Sequence, residues 1–592
     1  MSIRICIVTP FAWSQNHEAN EHVRAVAKSV EELGHTLAIL APSNRASELT
    51  AGRRALRLLE QDQQPLQGFV AVGPAVSVSR RERAGVPVGV RANLRLALGP
   101  GSFDIVHVYD PARMSLSNHA LQITDALTIA TFHSPDGVGQ HAGKKRRERL
   151  LTRVDALTAT SQRALEAARE RFSGDYHLLP LGIDIDQIRA SSSTDRPVLL
   201  VEWHPDEKDT VKAILRTMQA IPEWDICVLR TKQFAGRPYI PRALRERCTL
   251  ATARDEERRT SLISQCTAYV SATQGSERAR AEAQALGVPL IEASSGESLA
   301  STLARYQESA SSAAAAASER SGSAENSDSP IDDHSTSALA KHLDSLYGEL
   351  LKRRRPAARE RSKPLADRPW ILCDLHNHTE FSHDCSVPVV DLLDEAERLG
   401  LGAIAVTDHN VFAGAQLAHE LSKERELTVI PGEEMKTERG EVIGLFIQEE
   451  IPAGLSMEDT IVAIRDQGGL VYLPHPFDRM HSIARPETIH RLLGEIDAIE
   501  VYNARLLFDA YNDEALRFAR KYNMLMGAGS DAHVLQGLGT GLARMRAFTD
   551  GEEFLVSLRT AEIVRRPKSL LYLQGLKWVA QARERRARAG VR

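Results

Sequence analysis

The chain has 592 residues, 43% of them hydrophobic and 26% charged, and its formal net charge is -4. This length is too great for one hydrophobic core, so we expect two or three ordinary globular domains. The nearly neutral charge gives no reason to expect a nucleic-acid or membrane partner, and no apolar run is long enough to span a bilayer.

The first residues of the sequence and the spacing of its cysteines indicate the cellular compartment. Met1 to Pro10 contains a short apolar run without the small-residue cleavage site of a signal peptide. The six cysteines are scattered and form no CxxC pair, which is typical of reduced thiols. We therefore expect a cytoplasmic protein.

Two regions of alternating strands and helices come first. In residues 1–190, strands are predicted at Arg4–Val8, Thr36–Leu40, Asp104–Val108 and Leu127–Phe132, with a helix at His22–Leu33. Residues 191–354 continue the pattern, with strands at Pro197–Glu202, Asp225–Leu229, Ala268–Ser271 and Pro289–Glu292. This β-α-β order predicts two parallel sheets covered by helices, an α/β fold.

The composition then changes. Residues 308–337 are rich in Ser, Ala, Glu and Asp, which predicts a disordered insert. Ala338 to Arg354 has a helical pattern, and Pro356 to Pro369 resembles a linker. A third α/β domain is expected over residues 370–575, followed by a basic tail at 576–592, which we interpret as a solvated helix end.

Five clusters of metal-ligand residues occur in this last domain, each predicted to follow an apolar strand. They are Asp374-Leu375-His376-Asn377-His378-Thr379, Thr407-Asp408-His409-Asn410, Pro431-Gly432-Glu433-Glu434, Pro474-His475-Pro476 and Ser530-Asp531-Ala532-His533. Active sites of parallel α/β barrels assemble at these strand ends. Any one cluster has an ordinary structural explanation, such as a turn or a helix cap, but five in order favour a metal site. Mixed imidazole and carboxylate ligands suit zinc, manganese or iron, and two or three such ions activate water and hold phosphate oxygens.

The motifs DLHNHT, TDHN, PGEE, PHP and SDAH resemble those of the PHP superfamily over about residues 370–550. The resemblance implies a distorted (β/α)7 barrel and two or three divalent metal ions, with Glu434 as the bridging carboxylate. It also implies a small phosphorylated substrate. The implied ligands are His376, His378, Asp384, His409, Glu434, His475, Asp531 and His533.

Several positions depart from that pattern or leave a choice open. His383 and Asp384 both have suitable spacing for the ligand after HxH, and we favour Asp384. Glu441-Val442-Ile443 and Asn503 stand where relatives carry further histidines, so we expect an altered third metal site. Arg479, Arg485 and Arg505 are candidates to bind phosphate, a typical role of arginine. The predicted catalytic residues are Glu434, His409, His475, Arg479 and Arg485, with the general acid left unassigned.

Residues 1 to about 350 resemble retaining GT-B glycosyltransferases, in which two Rossmann-like domains bind a nucleotide sugar. The motifs are Phe103-Asp104-Ile105-Val106-His107-Val108, Thr131-Phe132-His133-Ser134, Leu179-Pro180-Leu181-Gly182-Ile183-Asp184 and Ala281-Glu282-Ala283-Gln284-Ala285-Leu286-Gly287-Val288-Pro289. The resemblance implies Lys208 and Glu282 as binding residues for a nucleotide-sugar-like ligand, and His107 and His133 as further contacts.

The positions that carry the transferase chemistry differ from that family. His17 and Glu18 replace a glycine-rich loop, and Glu202 and Trp203 replace a Gly-Arg pair beside the donor phosphates. Glu277 and Glu282 are five residues apart, where the family has eight. The leading hypothesis is therefore a phosphoesterase with an inactive transferase-like module. The alternatives are a bifunctional transferase and phosphatase, and a non-catalytic binding protein with a structural metal centre.

Overall fold

The computed structural model divides the chain into two compact units, Met1–Leu350 and Leu351–Arg592. It describes residues 2–15, 17–77, 83–85, 90–111, 115–133, 147, 150–184, 196–204, 207–230, 236–253, 256–271, 276–291, 301, 303, 334–355, 365–478, 486–569, 571–572, 574–576 and 578. Within these residues no helix combines the length and apolar character that crossing a membrane requires.

The first sheet of unit 1 contains eight described strands in the order β4-β3-β2-β1-β5-β6-β7-β8, parallel except for β4. The strands are β1 Arg4–Val8, β2 Thr36–Ser43, β3 Gly68–Ser77, β4 Arg83–Gly85, β5 Ile105–Tyr109, β6 Leu127–Phe132, β7 Ala156–Ala159 and β8 Tyr176–Leu178. Its helices are α1 Glu18–Glu32, α2 Ala46–Glu60, α3 Arg91–Ala97, α4 Leu116–Ile123 and α5 Gln162–Arg169. Strand β1 is central because it pairs with β2 on one edge and β5 on the other, and its residues after Arg4 are buried, as its apolar run predicts.

The second sheet of unit 1 is parallel, in the order β11-β10-β9-β12-β13. Its strands are β9 Val198–Glu202, β10 Asp225–Arg230, β11 Cys248–Thr252, β12 Ala268–Val270 and β13 Leu290–Ile291. The helices are α6 Lys208–Thr217, α7 Glu256–Ser264, α8 Glu277–Ala285 and α9 Thr336–Lys352. The prediction of two Rossmann-like layers is confirmed. Helix α9 begins inside the predicted insert, whose residues 308–333 lie outside the described part of the chain.

Unit 2 is built on a third sheet, in the order β20-β19-β18-β17-β16-β15-β14-β21-β22. Its strands are β14 Trp370–Asp374, β15 Ala403–Val406, β16 Thr428–Thr437, β17 Gly440–Leu445, β18 Leu470–Leu473, β19 Ala498–Asn503, β20 Leu525–Gly529, β21 Gly541–Arg546 and β22 Glu562–Arg565. The helices are α10 Val389–Arg398, α11 Ala413–Ser422, α12 Met457–Asp466, α13 Pro486–Arg491, α14 Asp509–Tyr522 and α15 Gly551–Leu558. The basic tail beyond residue 578 lies outside the described residues.

Backbone hydrogen bonds almost close this sheet into a barrel. The amide of Leu375 donates to the carbonyl of Ala528 at 3.2 Å, and the amide of Asp531 donates to the carbonyl of His376 at 2.8 Å. The segment after β14 therefore runs beside the segment after β20. This pairing brings the first and last metal-ligand clusters of the sequence to one edge, and the predicted distorted barrel is confirmed.

One strand differs from its prediction. The cluster Pro431-Gly432-Glu433-Glu434 was expected to follow a strand, but β16 continues through it to Thr437 and pairs antiparallel with β17. The hairpin forms because Thr437 and Gly440 make a tight turn, with the Thr437 hydroxyl donating to the Gly440 carbonyl at 2.8 Å. Glu434 therefore lies inside a strand and not after its end, and this hairpin is a major distortion of the barrel.

Candidate metal centre

All eight predicted ligands lie together: seven follow the carboxyl ends of barrel strands, and Glu434 lies within β16. His376, His378 and Asp384 follow β14, and His409 follows β15. His475 follows β18, while Asp531 and His533 follow β20. Positive φ angles at His475 (24°) and Asp531 (48°) are uncommon for residues with a side chain, and such strain is concentrated at functional sites.

Glu434 is the centre of the cluster. Its side chain is fully buried, and its oxygens lie 3.2 Å from His376 Nε2, 3.5 Å from His378 Nε2, 3.1 Å from His409 Nδ1 and 3.1 Å from His475 Nε2. The neighbouring Glu433 points to the opposite face of the strand, where it accepts a hydrogen bond of 2.9 Å from the Ile451 amide. Four imidazoles converge on one carboxylate, a donor set that suits divalent metal ions.

A second layer of hydrogen bonds orients the histidines. Glu500 Oε1 lies 3.2 Å from His376 Nδ1, and the Ser382 hydroxyl lies 3.1 Å from His378 Nδ1. Each ring therefore directs Nε2 towards the centre, as metal-bound histidines do. Buried His378 Nε2 has no hydrogen-bond partner among the described residues. A lone pair left in this position fits a metal ion.

The ligand atoms form four overlapping groups, each with its atoms within 4.8 Å of one another. These groups are His376 with His378 and Glu434; His376 with His475 and Asp531; Glu434 with Glu441 and His475; and His378 with His409 and His533. Glu441 was not predicted as a ligand, because an acid occupies a position where relatives carry a histidine. The sequence signal that could have identified Glu441 is its position on the strand after the PGEE motif.

A third corner of the centre contains Asp384. Its Oδ2 atom lies 2.9 Å from His533 Nε2, and its Oδ1 atom lies 3.8 Å from His409 Nε2. His383, the alternative ligand, is exposed. The guanidinium of Arg505 reaches the same corner, with Nη1 at 3.2 Å from both Asp531 Oδ1 and His533 Nε2. Arg479 and Arg485 lie outside the described residues.

The protonation of the metal-free cluster follows from this packing. Burial opposes ionisation, but His376 and His409 hold the pKa of Glu434 well below its usual value. Burial likewise opposes protonation of His475, yet Glu434 and Glu500 raise its pKa to about 9. Burial and the neighbouring His533 and His409 lower the pKa of His378. Divalent ions would have to displace a proton from His475, so metal affinity should rise with pH.

The predicted binding residues of unit 1 are differently placed. Glu282 is fully buried, with its two oxygens 2.8 and 2.5 Å from the Arg259 guanidinium. Glu202 is also buried, where it accepts hydrogen bonds from the Tyr269 hydroxyl at 2.9 Å and the Ser276 amide at 2.8 Å. The Glu202 carboxylate is therefore directed into the fold. Lys208 is exposed at the start of α6.

His17 of the first loop and the two predicted contact residues, His107 and His133, each contact other residues of unit 1. The His17 ring stacks on Phe11 at 3.7 Å between centroids, and its Nδ1 accepts from the Ala19 amide, so a side chain caps α1. His107 is buried, with Nε2 2.5 Å from the Thr131 hydroxyl. His133 Nδ1 lies 2.9 Å from the Thr160 hydroxyl.

Three family models match the chain: Glycosyltransferase Family 4 over residues 19–187, PHP domain over 374–534 and PHP-associated over 509–563. An uncharacterized protein of Methanocaldococcus jannaschii is 34% identical over 33% of this chain and 84% of its own length. A phosphatidyl-myo-inositol mannosyltransferase of Propionibacterium freudenreichii is 24% identical over 49% of this chain and 77% of its own length. A glycosyltransferase structure from Rickettsia africae matches 59% of this chain and 99% of its own, with 16% identity and a TM-score of 0.41.

Proposed function

Because the chain belongs to the PHP family and joins its PHP domain to a glycosyltransferase family 4 region, we propose that it is a phosphoesterase of small phosphate esters. The PHP domain implies divalent metal ions. The observation that carries the proposal is buried Glu434, which lies within 3.5 Å of four imidazoles from three different segments. A purely structural site needs four ligands and no open position, whereas this cluster offers more groups than one ion can use.

Two overlapping ligand sets support a two-ion centre of manganese, zinc or iron. One set is His376, His378, Glu434 and Asp531, and the other is Glu434, Glu441 and His475. Bound divalent ions would activate water and neutralise phosphate oxygens. The chain itself contributes the shared carboxylate of Glu434 and the orientation of His376 and His475 by Glu500, whose Oε2 accepts from the His475 amide at 2.8 Å.

The phosphate would be held by arginine as well. Among the described arginines, Arg505 lies at the cluster, and its planar guanidinium suits the oxygens of a phosphate. Arg479 and Arg485, on the segment after His475, remain candidates for the same role. His409 is the partly exposed imidazole of the cluster, at 18%. It is therefore our candidate to give a proton to the leaving group, which would reach it from solvent.

For unit 1 we propose a module that does not transfer sugar. The Glu282 carboxylate, which the resemblance assigns to the donor, is occupied by Arg259. Glu21 from α1 also pairs with Arg259 at 2.9 Å, so helices of both sheets converge on one buried ion cluster. The exposed side chain of Lys208 keeps a bifunctional enzyme as the second candidate, because it remains accessible to a phosphate.

The test uses the full chain, purified, analysed for metal and assayed against a panel of phosphate monoesters and nucleotide sugars. We expect metal-dependent release of phosphate that a chelator abolishes, and no sugar transfer. A metal-loaded protein that releases no phosphate from any ester would contradict the phosphoesterase. Transfer of sugar that Lys208→Ala abolishes would favour the bifunctional enzyme.

A further inference from the structure

Arg505 occupies the corner of the centre where a third ion would bind. Its Nη1 atom lies 3.2 Å from His533 Nε2 and 3.2 Å from Asp531 Oδ1, and its Nη2 atom lies 4.0 Å from Asp384 Oδ2. His533 is one of the three residues that bound this corner, together with His378 and His409. The arginine therefore competes directly with a cation for the same imidazole.

The hydrogen bonds of His533 make the competition specific. Its Nδ1 lies 3.0 Å from the Asp531 carbonyl oxygen, and its Nε2 lies 2.9 Å from Asp384 Oδ2. Arg505 Nη1 contacts the same Nε2 atom, which a metal ion at this corner would need as a ligand. Asn503 holds the arginine in place, since its Oδ1 accepts from the Arg505 amide at 2.9 Å and its Nδ2 donates to Asp531 Oδ2 at 3.2 Å.

The charges around the cluster are consistent with this arrangement. Among the described residues, five carboxylates lie within 4.0 Å of a ligand-type imidazole: Glu434, Glu441, Glu500, Asp531 and Asp384. Two divalent ions and one guanidinium balance these five negative charges. A third divalent ion beside the permanent charge of Arg505 would leave an excess of two positive charges at the cluster, which is unfavourable.

From this geometry we propose that Arg505 is a built-in third cation, so that the chain takes two divalent ions and not three. The inference rests on the proposed function, because it concerns the same metal centre. The guanidinium keeps a fixed positive charge at the corner of Asp384, His409 and His533. A phosphate held by the two ions would meet Arg505 at the point where a three-ion enzyme presents its third ion.

The experiment counts ions in the full chain. Metal is removed with a chelator, Mn²⁺ is added back, and bound Mn²⁺ is measured by elemental analysis and calorimetry. We expect two Mn²⁺ per chain in the wild type and in Arg505→Lys, and three in Arg505→Gln. Arg565→Gln is the matched control, because Arg565 stacks on Tyr502 at 4.7 Å and pairs with Asp509, and it should keep two.

A second variant and a second readout make the result decisive. The double variant Arg505→Gln with Asp384→Asn should return to two ions, and electron paramagnetic resonance should show an additional, weakly coupled Mn²⁺ in the single variant alone. Three tightly bound ions in the wild type would overturn the inference, as would two or fewer in folded Arg505→Gln. If Arg505→Gln does not fold, the wild-type count alone decides. Failure of the phosphoesterase proposal is separate, since it would appear as absent hydrolysis in a protein that binds its ions.

Discussion

Replacing Glu434 with Gln tests the central carboxylate most directly. The substitution keeps the shape of the side chain but removes the negative charge that lies 3.1 to 3.5 Å from four imidazoles. One charge-assisted contact contributes about 1.5–3 kcal/mol. If each of two ions loses one such contact, each ion should bind about tenfold to a hundredfold more weakly. At a free metal concentration that just saturates the wild type, occupancy and hydrolysis should both fall.

The matched control is Glu433→Gln, one residue earlier on the same strand. Glu433 is buried on the opposite face and accepts from the Ile451 amide, a bond that a glutamine oxygen preserves. This variant should keep its metal. Elemental analysis after dialysis against buffered Mn²⁺, together with a phosphate-release assay, measures both proteins under the same conditions. Full metal content and full rate in Glu434→Gln would refute the bridging role and with it the assignment of the site.

Three further predictions concern stability. Burial lowers the pKa values of His22 and His107 to about 3, so these histidines take up protons on unfolding at pH values below about 6.5. The free energy of unfolding of unit 1 should therefore fall by about 2 kcal/mol between pH 6.5 and 5.5. Hydrogen exchange of α1 and β5 measures this change, and an unchanged exchange rate would contradict it. A fragment that begins at Leu351 should have a free energy of unfolding in urea at least about 2 kcal/mol higher than one that begins at Pro364. The reason is that Arg355 donates to the carbonyls of Leu493 at 2.9 Å and Asp497 at 3.0 Å. We expect both fragments to hydrolyse phosphate esters, and equal urea midpoints would show that Arg355 is dispensable. Finally, Gly541→Ala should destabilise unit 2 by about 2–4 kcal/mol, since its Cβ would lie 2.2 Å from the Gly529 carbonyl oxygen, whereas Gly494→Ala has open space and should melt like the wild type.

The sequence by itself predicted the layers of the fold and most of the metal cluster. Buried parallel strands are short apolar runs, and the bounds of β1 and β6 match their predictions. The residues predicted as ligands lie together for a related reason. In a parallel barrel the carboxyl ends of the strands share one edge, so His and Asp residues after successive strands must meet there, wherever they stand in the chain.

Tertiary structure decided what depends on the direction of a side chain or on pairing between distant segments. The β16–β17 hairpin moved Glu434 into a strand and brought Glu441 within 3.9 Å of His475, a pairing that local pattern does not encode. In the same way, only the fold shows that Arg259 covers Glu282 and that Arg505 reaches His533. A charged residue looks the same in the sequence whether it faces solvent, a ligand or an opposite charge. Its role is fixed only when the residues that surround it, some of them 238 positions away like Glu21 and Arg259, are in place.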